Sequence, residues 1–261
     1  MNVRPKKYLG QHFLTDLQIA RNIVEALPHD GCRDVLEVGP GMGVLTQYLL
    51  EREDIDLKVI EIDTESVVYL REHFPSIVKG LYEADFLKID LKQIFASQFR
   101  VIGNFPYNIS SQIFFKILDI KDSVPEVVCM IQKEVAERMA SPHGSKVYGI
   151  LSVLMQTWYD IEYLFTVGEG AFLPPPKVKS AVIRLRRNSR SSLPCGEVLF
   201  KQVVKAAFNQ RRKTLRNSLK GLPASVGEVT VPERFAQLRP EQVSVEDFIL
   251  LTTEIENSIS K

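Results

Sequence analysis

Five short runs rich in apolar residues recur through the first half of the chain: 34–38 "DVLEV", 57–62 "LKVIEI", 81–84 "LYEA", 99–103 "FRVIG" and 126–131 "EVVCMI". Longer, more polar stretches separate them. This alternation constrains the fold more than any other feature, because strands joined by crossover segments assemble into a parallel sheet flanked by helices. Helical periodicity predicts helices near 43–52, 64–73, 109–118 and 148–158, with Thr64 and Ser110 available as caps. Two further runs, 160–167 "DIEYLFTV" and 178–186 "VKSAVIRLR", are separated by "GEGAFLPPPK", too short for a crossover helix, and are expected to pair antiparallel. The expected architecture is α/β and Rossmann-like, a seven-stranded, mostly parallel sheet with an antiparallel edge hairpin. "NSRSSLPCG", after Arg187, reads as a linker, and from Glu197 onward the periodicity is helical. A domain of residues 1–187 and a small all-α domain of residues 188–261 follow from this.

Composition narrows the function classes. The net charge of +1 hides an asymmetry: residues 26–176 hold 13 Lys/Arg against 22 Asp/Glu, whereas 177–220 hold 13 against one. The first 14 residues add Arg4, Lys6 and Lys7 without an acid. A local excess of that size is expected of a surface that meets polyphosphate. Cys32, Cys129 and Cys195 are odd in number and lack a CxxC pair, which fits a reducing compartment and gives no disulfide framework. The four histidines have no i, i+4 ligand spacing, so no metal is expected. No apolar run approaches the roughly 18 to 20 residues that span a bilayer, and the N-terminus lacks a signal-peptide stretch. A cytoplasmic protein without membrane contact is the expectation.

"EVGPGMGVLT", residues 37–46, follows the first strand and opens a helix, with glycines at 39, 41 and 43. The dinucleotide fingerprint wants glycine at 44, where this chain has Val44; the spacing is GxGxG, which suits a nucleoside without pyrophosphate. Gly39 and Gly41 let a ligand approach the backbone. Glu61, ending the second strand, can accept from both ribose hydroxyls. Asp85 follows the third strand and can receive an adenine amino group, with Phe86 or Ile62 beside the ring. Glu37 would face a cationic centre. Acids at successive strand ends mark the crevice where open α/β sheets bind ligands.

"GNFPYN", residues 103–108, ends the fourth of these strands. Together with "YLGQHFL" at 8–14, the glycine loop, "VIEID", "EADF", "FLPPPKVKSAVIRL" at 172–185 and "FNQRRKTLRNSL" at 208–219, it makes nearly the whole chain resemble one family. These are the class I S-adenosylmethionine-dependent methyltransferases, and among them the ribosomal RNA adenine N6-dimethyltransferases of the KsgA type. The resemblance implies S-adenosylmethionine as methyl donor and dimethylation of two adjacent adenosines near the 3′ end of 16S rRNA in the 30S subunit. It also implies that His12 and Leu14 border the donor's methionine or ribose portion, although this chain has "QHF" where many relatives have "QNF".

The chemistry of the motif stands beside the resemblance. Adenine N6 is a poor nucleophile because its lone pair is delocalised into the ring. The Asn104 side-chain oxygen and a backbone carbonyl, at Phe105 or Pro106, can accept its N–H groups and favour a pyramidal nitrogen. Pro106 stiffens the turn, and Tyr107 offers a face for an extruded base. No strong base is needed.

Phe172 is expected to stack on the flipped adenine opposite Tyr107, with Lys177 and Lys179 reaching phosphates; the competing reading makes it the plug of a proline-stiffened loop. Arg211, Arg212, Lys213, Arg216 and Lys220 are expected on one helix as a cationic face, with Phe208, Leu215 and Leu219 inward. A monomer acting late in small-subunit assembly is the favoured reading. The alternatives are a large-subunit rRNA adenine methyltransferase conferring antibiotic resistance and a noncatalytic assembly factor.

Overall fold

The computed structural model describes residues 3–29, 31–227 and 229–259. In chain order the elements are β1 (Phe13–Leu14), α1 (Leu17–Glu25), β2 (Asp34–Val38), α2 (Thr46–Leu49), β3 (Asp56–Glu61), α3 (Thr64–His73), β4 (Leu81–Glu83), β5 (Arg100–Asn104), α4 (Ser110–Asp119), β6 (Glu126–Gln132), α5 (Lys133–Ala140), α6 (Ile150–Gln156), β7 (Tyr159–Val167), β8 (Phe172–Leu173), β9 (Ser180–Arg187), α7 (Glu197–Asn209), α8 (Leu215–Ser218), α9 (Glu233–Ala236) and α10 (Val245–Ile259). All seven expected strands are present, within two residues of their expected starts. Seven strands form one sheet in the order β4-β3-β2-β5-β6-β9-β7, and β1 pairs β8 in a separate two-stranded ribbon.

Strands β2 to β6 are parallel where they pair, and β9 runs antiparallel to β6. β2, β5 and β6 are buried almost throughout because both of their faces are covered, the usual condition of central parallel strands. Strand order reverses between β2 and β5, so the loops leaving these neighbours diverge and open a crevice. Their register is Val35↔Arg100, Leu36↔Val101 and Glu37↔Ile102. Two residues further on, Gly39 and Asn104 therefore emerge side by side.

Helix caps differ from expectation. Asp63, one residue before Thr64, caps α3 by accepting from Glu65 N–H at 3.4 Å; Thr64 is already helical. Ser110 is likewise inside α4, and its hydroxyl donates to the Tyr107 carbonyl at 3.3 Å. The helix expected over 43–52 contracts to the single turn α2, because the glycine loop continues through residue 45 as turns. Helix α1 was not anticipated. Asp16 caps it, accepting from the Gln18 and Ile19 amides at 3.0 and 3.1 Å, and it buries Ala20, Ile23 and Val24.

The chain divides into two compact units, residues 1–136 with 160–187 and residues 137–159 with 188–261. The core of the first unit includes Leu14, Ile23, Val35, Ile102, Val128, Val167, Phe172 and Val182. The second unit is helical, with Tyr148 edge-on to Phe208 at 5.9 Å and Phe208 beside Phe248 at 5.8 Å. Leu215 and Leu219 are buried as expected. The single basic helix is not formed. α7 ends at Asn209, residues 210–213 turn, and Thr214 is extended because the Leu215 amide donates to the Leu238 carbonyl at 2.8 Å. A tertiary hydrogen bond here overrides helical propensity.

Candidate active site

The crevice is a cavity of about 540 Å³, within the range of small-molecule sites. His12, Leu14, Gly39, Gly41, Glu61, Ile62, Asp85, Phe86, Asn104, Pro106 and Tyr107 all line it, as does Glu37. The ends of β2, β3, β4 and β5 and the loops after them, with the N-terminal segment that carries His12 and Leu14, bring these residues together, which is why positions distant in sequence share one space.

The glycine loop has two tasks. Gly39 adopts φ 69°, and a Cβ there would meet nothing within 4 Å, so its backbone faces open space that a ligand can enter. At Gly43, with φ 78°, an added Cβ would run into the Phe74 ring. Glu61 is buried, and its two oxygens accept from Gly41 N–H at 3.0 Å and Asp63 N–H at 2.8 Å. A carboxylate has about four lone-pair sites, so capacity for two hydroxyls remains. Burial raises the Glu61 pKa, opposed by these amide hydrogen bonds. Glu37 is fully buried at the end of β2; desolvation pushes it up to about 8 although the Thr46 hydroxyl donates to it at 2.6 Å, and the neighbouring Glu61 charge raises it further. Ile62 is 50% exposed, an apolar side chain kept in the open at a strand end. One Asp85 oxygen accepts from Leu87 N–H at 2.9 Å and the other lies 3.4 Å from Lys88 Nζ. Phe86 is buried, with the Lys116 ammonium 5.3 Å from its ring centre. Open backbone at Gly39, a carboxylate with spare acceptor sites and an exposed apolar side chain fit an adenine nucleoside.

At the GNFPYN turn, the Asn104 amide nitrogen donates to the His12 carbonyl at 3.1 Å, which leaves its oxygen as the end available to a substrate. Phe105 is buried edge-on to Phe114, and its N–H bonds the Met130 carbonyl at 3.0 Å. The Pro106 carbonyl accepts from Ile109 N–H at 3.2 Å, so of the two carbonyls considered, that of Phe105 has the greater free capacity. The Tyr107 hydroxyl is hydrogen-bonded to Ser180, and the His12 ring stacks on Tyr107 at 5.3 Å.

The N-terminal segment closes over this turn. Lys6 pairs with Asp63 and, at 3.2 Å, with Glu65; Gln11 donates to Asp63 at 3.3 Å; Asn108 donates to the Tyr8 carbonyl at 3.3 Å. Lys6, Gln11, Asp63 and Asn108 were not singled out from the sequence, since nothing local marks pairs 52 to 100 residues apart.

The expected stacking role of Phe172 is corrected by the structure, which favours the competing reading of a plug. Phe172 is 3% exposed, opposite Leu14 in the β1–β8 ribbon and packed in the first unit's core, so it presents no face to a base. Strand alternation turns the next residue outward: Leu173 is 65% exposed. Lys177 and Lys179 are exposed before β9. In the second unit Arg212 and Lys213 are exposed in the 210–213 turn, whereas Arg211 lies 3.7 Å from Glu241 and Arg216 2.6 Å from Glu233.

Residues 2–257 match the family described as ribosomal RNA adenine dimethylase. The chain belongs to this family. It is 57% identical over 260 residues to the ribosomal RNA small subunit methyltransferase A of Parabacteroides distasonis, covering 99% of this chain and 97% of that one. The protein of the same description from Porphyromonas gingivalis is 58% identical over 255 residues, covering 97% and 98%. Among solved structures, a dimethyladenosine transferase from Plasmodium falciparum superposes with a TM-score of 0.79 at 25% identity, covering 95% of this chain and 98% of that one. The 23S rRNA methyltransferase ErmE gives 0.64 at 26% identity, covering 94% and 99%. The ribosomal RNA adenine dimethylase family thus accounts for the GxGxG loop and the GNFPYN turn within one cavity, and its match extends through both units.

Proposed function

We propose that the chain dimethylates N6 of two adjacent adenosines near the 3′ end of 16S rRNA, late in 30S assembly, as a cytoplasmic monomer. The observation that carries this reading is the β2–β5 register, which sets Asn104 beside the glycine loop in one cavity. S-adenosylmethionine, bound there, supplies a methyl group already activated on a sulfonium. Glu61 holds the ribose hydroxyls, Asp85 the adenine amino group, and Ile62 and Phe86 flank the donor's ring. His12, Leu14, Gly39 and Gly41 border the rest of the donor. The Asn104 oxygen and the Phe105 carbonyl accept from the target N6, which stabilises the pyramidal nitrogen more than the planar one. Pro106 fixes the turn, and Tyr107 stacks on the base that has left its helix. Lys177, Lys179, Arg211, Arg212, Lys213 and Arg216 serve as phosphate contacts, the last four within a helical RNA-binding domain.

The test is labelled S-adenosylmethionine supplied with undermethylated small subunits, large subunits or naked RNA, followed by mapping of N6,N6-dimethyladenosine. Label at paired adenosines of the small subunit is expected. Incorporation confined to large-subunit RNA would overturn the substrate assignment.

A further inference from the structure

We propose that Tyr8 is a stacking platform for the nucleotide adjacent to the adenosine undergoing methylation. The inference rests on the reading of two neighbouring adenosines as substrate.

Tyr8 lines the cavity and is 75% exposed, the highest value recorded for a large apolar or aromatic side chain among the described residues. Its backbone, by contrast, is tightly held. Residues Lys7–Leu9 form a single 3-10 turn closed by Leu9 N–H on the Lys6 carbonyl at 3.1 Å, and Asn108 Nδ2 donates to the Tyr8 carbonyl. Two residues on, Gly10 has φ 65°, and an added Cβ would run into the Asn108 side chain, so close approach of the two segments requires glycine. Asn108 directly follows Tyr107. The exposed ring is thereby set at a fixed place beside the turn that carries the proposed chemistry.

An aromatic ring left in water contributes little to the fold, yet every base has a face that can stack on it. Extruding one adenosine breaks its stacking with the next nucleotide, and a flat ring at the rim restores part of what was lost. Of the two other rings considered for stacking, Tyr107 is assigned to the extruded base itself, with His12 against it, and Phe172 is buried, so neither serves the neighbouring nucleotide. Arg4 is exposed in the same acid-free segment, which favours an approaching phosphate backbone.

The test compares wild type, Tyr8→Phe and Tyr8→Ala by methylation kinetics on undermethylated small subunits, by calorimetric affinity for S-adenosylmethionine, and by anisotropy on an RNA hairpin with two adjacent loop adenosines. Stacking on one base predicts about a 10-fold or greater rise in KM and in hairpin Kd for Tyr8→Ala, with near-wild-type values for Tyr8→Phe. Donor affinity should stay within about twofold for both. Unchanged KM and hairpin Kd in Tyr8→Ala overturn the proposal, as does a weakened donor affinity with RNA affinity intact, which would make Tyr8 part of the donor site. A wild type inactive on small subunits strikes the functional reading instead; the hairpin measurement then still decides the Tyr8 contact.

Discussion

Replacing Phe172 with alanine separates a core ring from a base-stacking ring. Phe172 is 3% exposed among Leu14, Ile23, Val167 and Val182. A buried phenyl ring removes about 150 to 250 Å² from water, and at about 25 cal/mol per Å² its upper bound is about 4 to 6 kcal/mol. Phe→Ala changes in cores cost about 3 to 5 kcal/mol. β1 and β8 are two residues each and can settle into part of the space, so the lower value, about 3 kcal/mol, is expected. In urea unfolding followed by circular dichroism, with m about 2 to 3 kcal/mol/M, the midpoint should fall by about 1 M. Donor affinity should fall too, because the strand that Phe172 supports carries Leu14 and directly follows His12. Phe172→Leu should recover most of the loss. A Phe172→Ala protein of wild-type stability with a raised KM for RNA would refute this reasoning and return the ring to the substrate.

Asn104→Ala should lower kcat by about 100-fold or more while calorimetry still detects donor binding, since it removes an acceptor used most in the transition state; full activity would remove Asn104 from the mechanism. Gly43→Ala combines positive φ with a clash on Phe74 and should cost at least about 2 kcal/mol, read as a lower urea midpoint. Burial pushes the Glu37 carboxyl up to about 8 in the folded state, well above the usual carboxylate range near 4.5, so the folded state holds its proton where the unfolded state releases it. Its contribution to stability is complete below about pH 4.5 and declines as pH rises toward 8, on the order of a few kcal/mol in all. Glu37→Gln should flatten that decline in ligand-free protein, and identical pH profiles would refute the assignment. Neutralising Arg212 and Lys213 should reduce the salt slope of RNA binding by about 1 to 2, more than the same change at Arg211 and Arg216, whose charges already face Glu241 and Glu233.

The strands were legible because β-runs such as "EVVCMI" carry their own signal, and the GxGxG spacing with Glu61 and Asp85 at strand ends pointed to a nucleoside crevice before any fold was known. Helix α1 was missed although Asp16 precedes an amphipathic run. The single basic helix expected from the sequence does not form, and the bond from Leu215 to the Leu238 carbonyl that interrupts it has no trace in local sequence. Lys6 was counted for its charge and Gln11 and Asn108 lay within the motifs, but their partners Asp63 and Tyr8 were not legible for the same reason.

Sequence alone determined the sheet, the order of its motifs and the chemical types at the site, since periodicity and strand-end positions are local properties. Tertiary structure decided which residues face the cavity. Pairing β1 with β8 turned Phe172 inward and Leu173 outward, and docking of the N-terminal segment oriented the Asn104 amide and left the Tyr8 ring in solvent. Side-chain direction across a two-residue ribbon depends on register with a partner some 160 residues away, and no local pattern encodes that register.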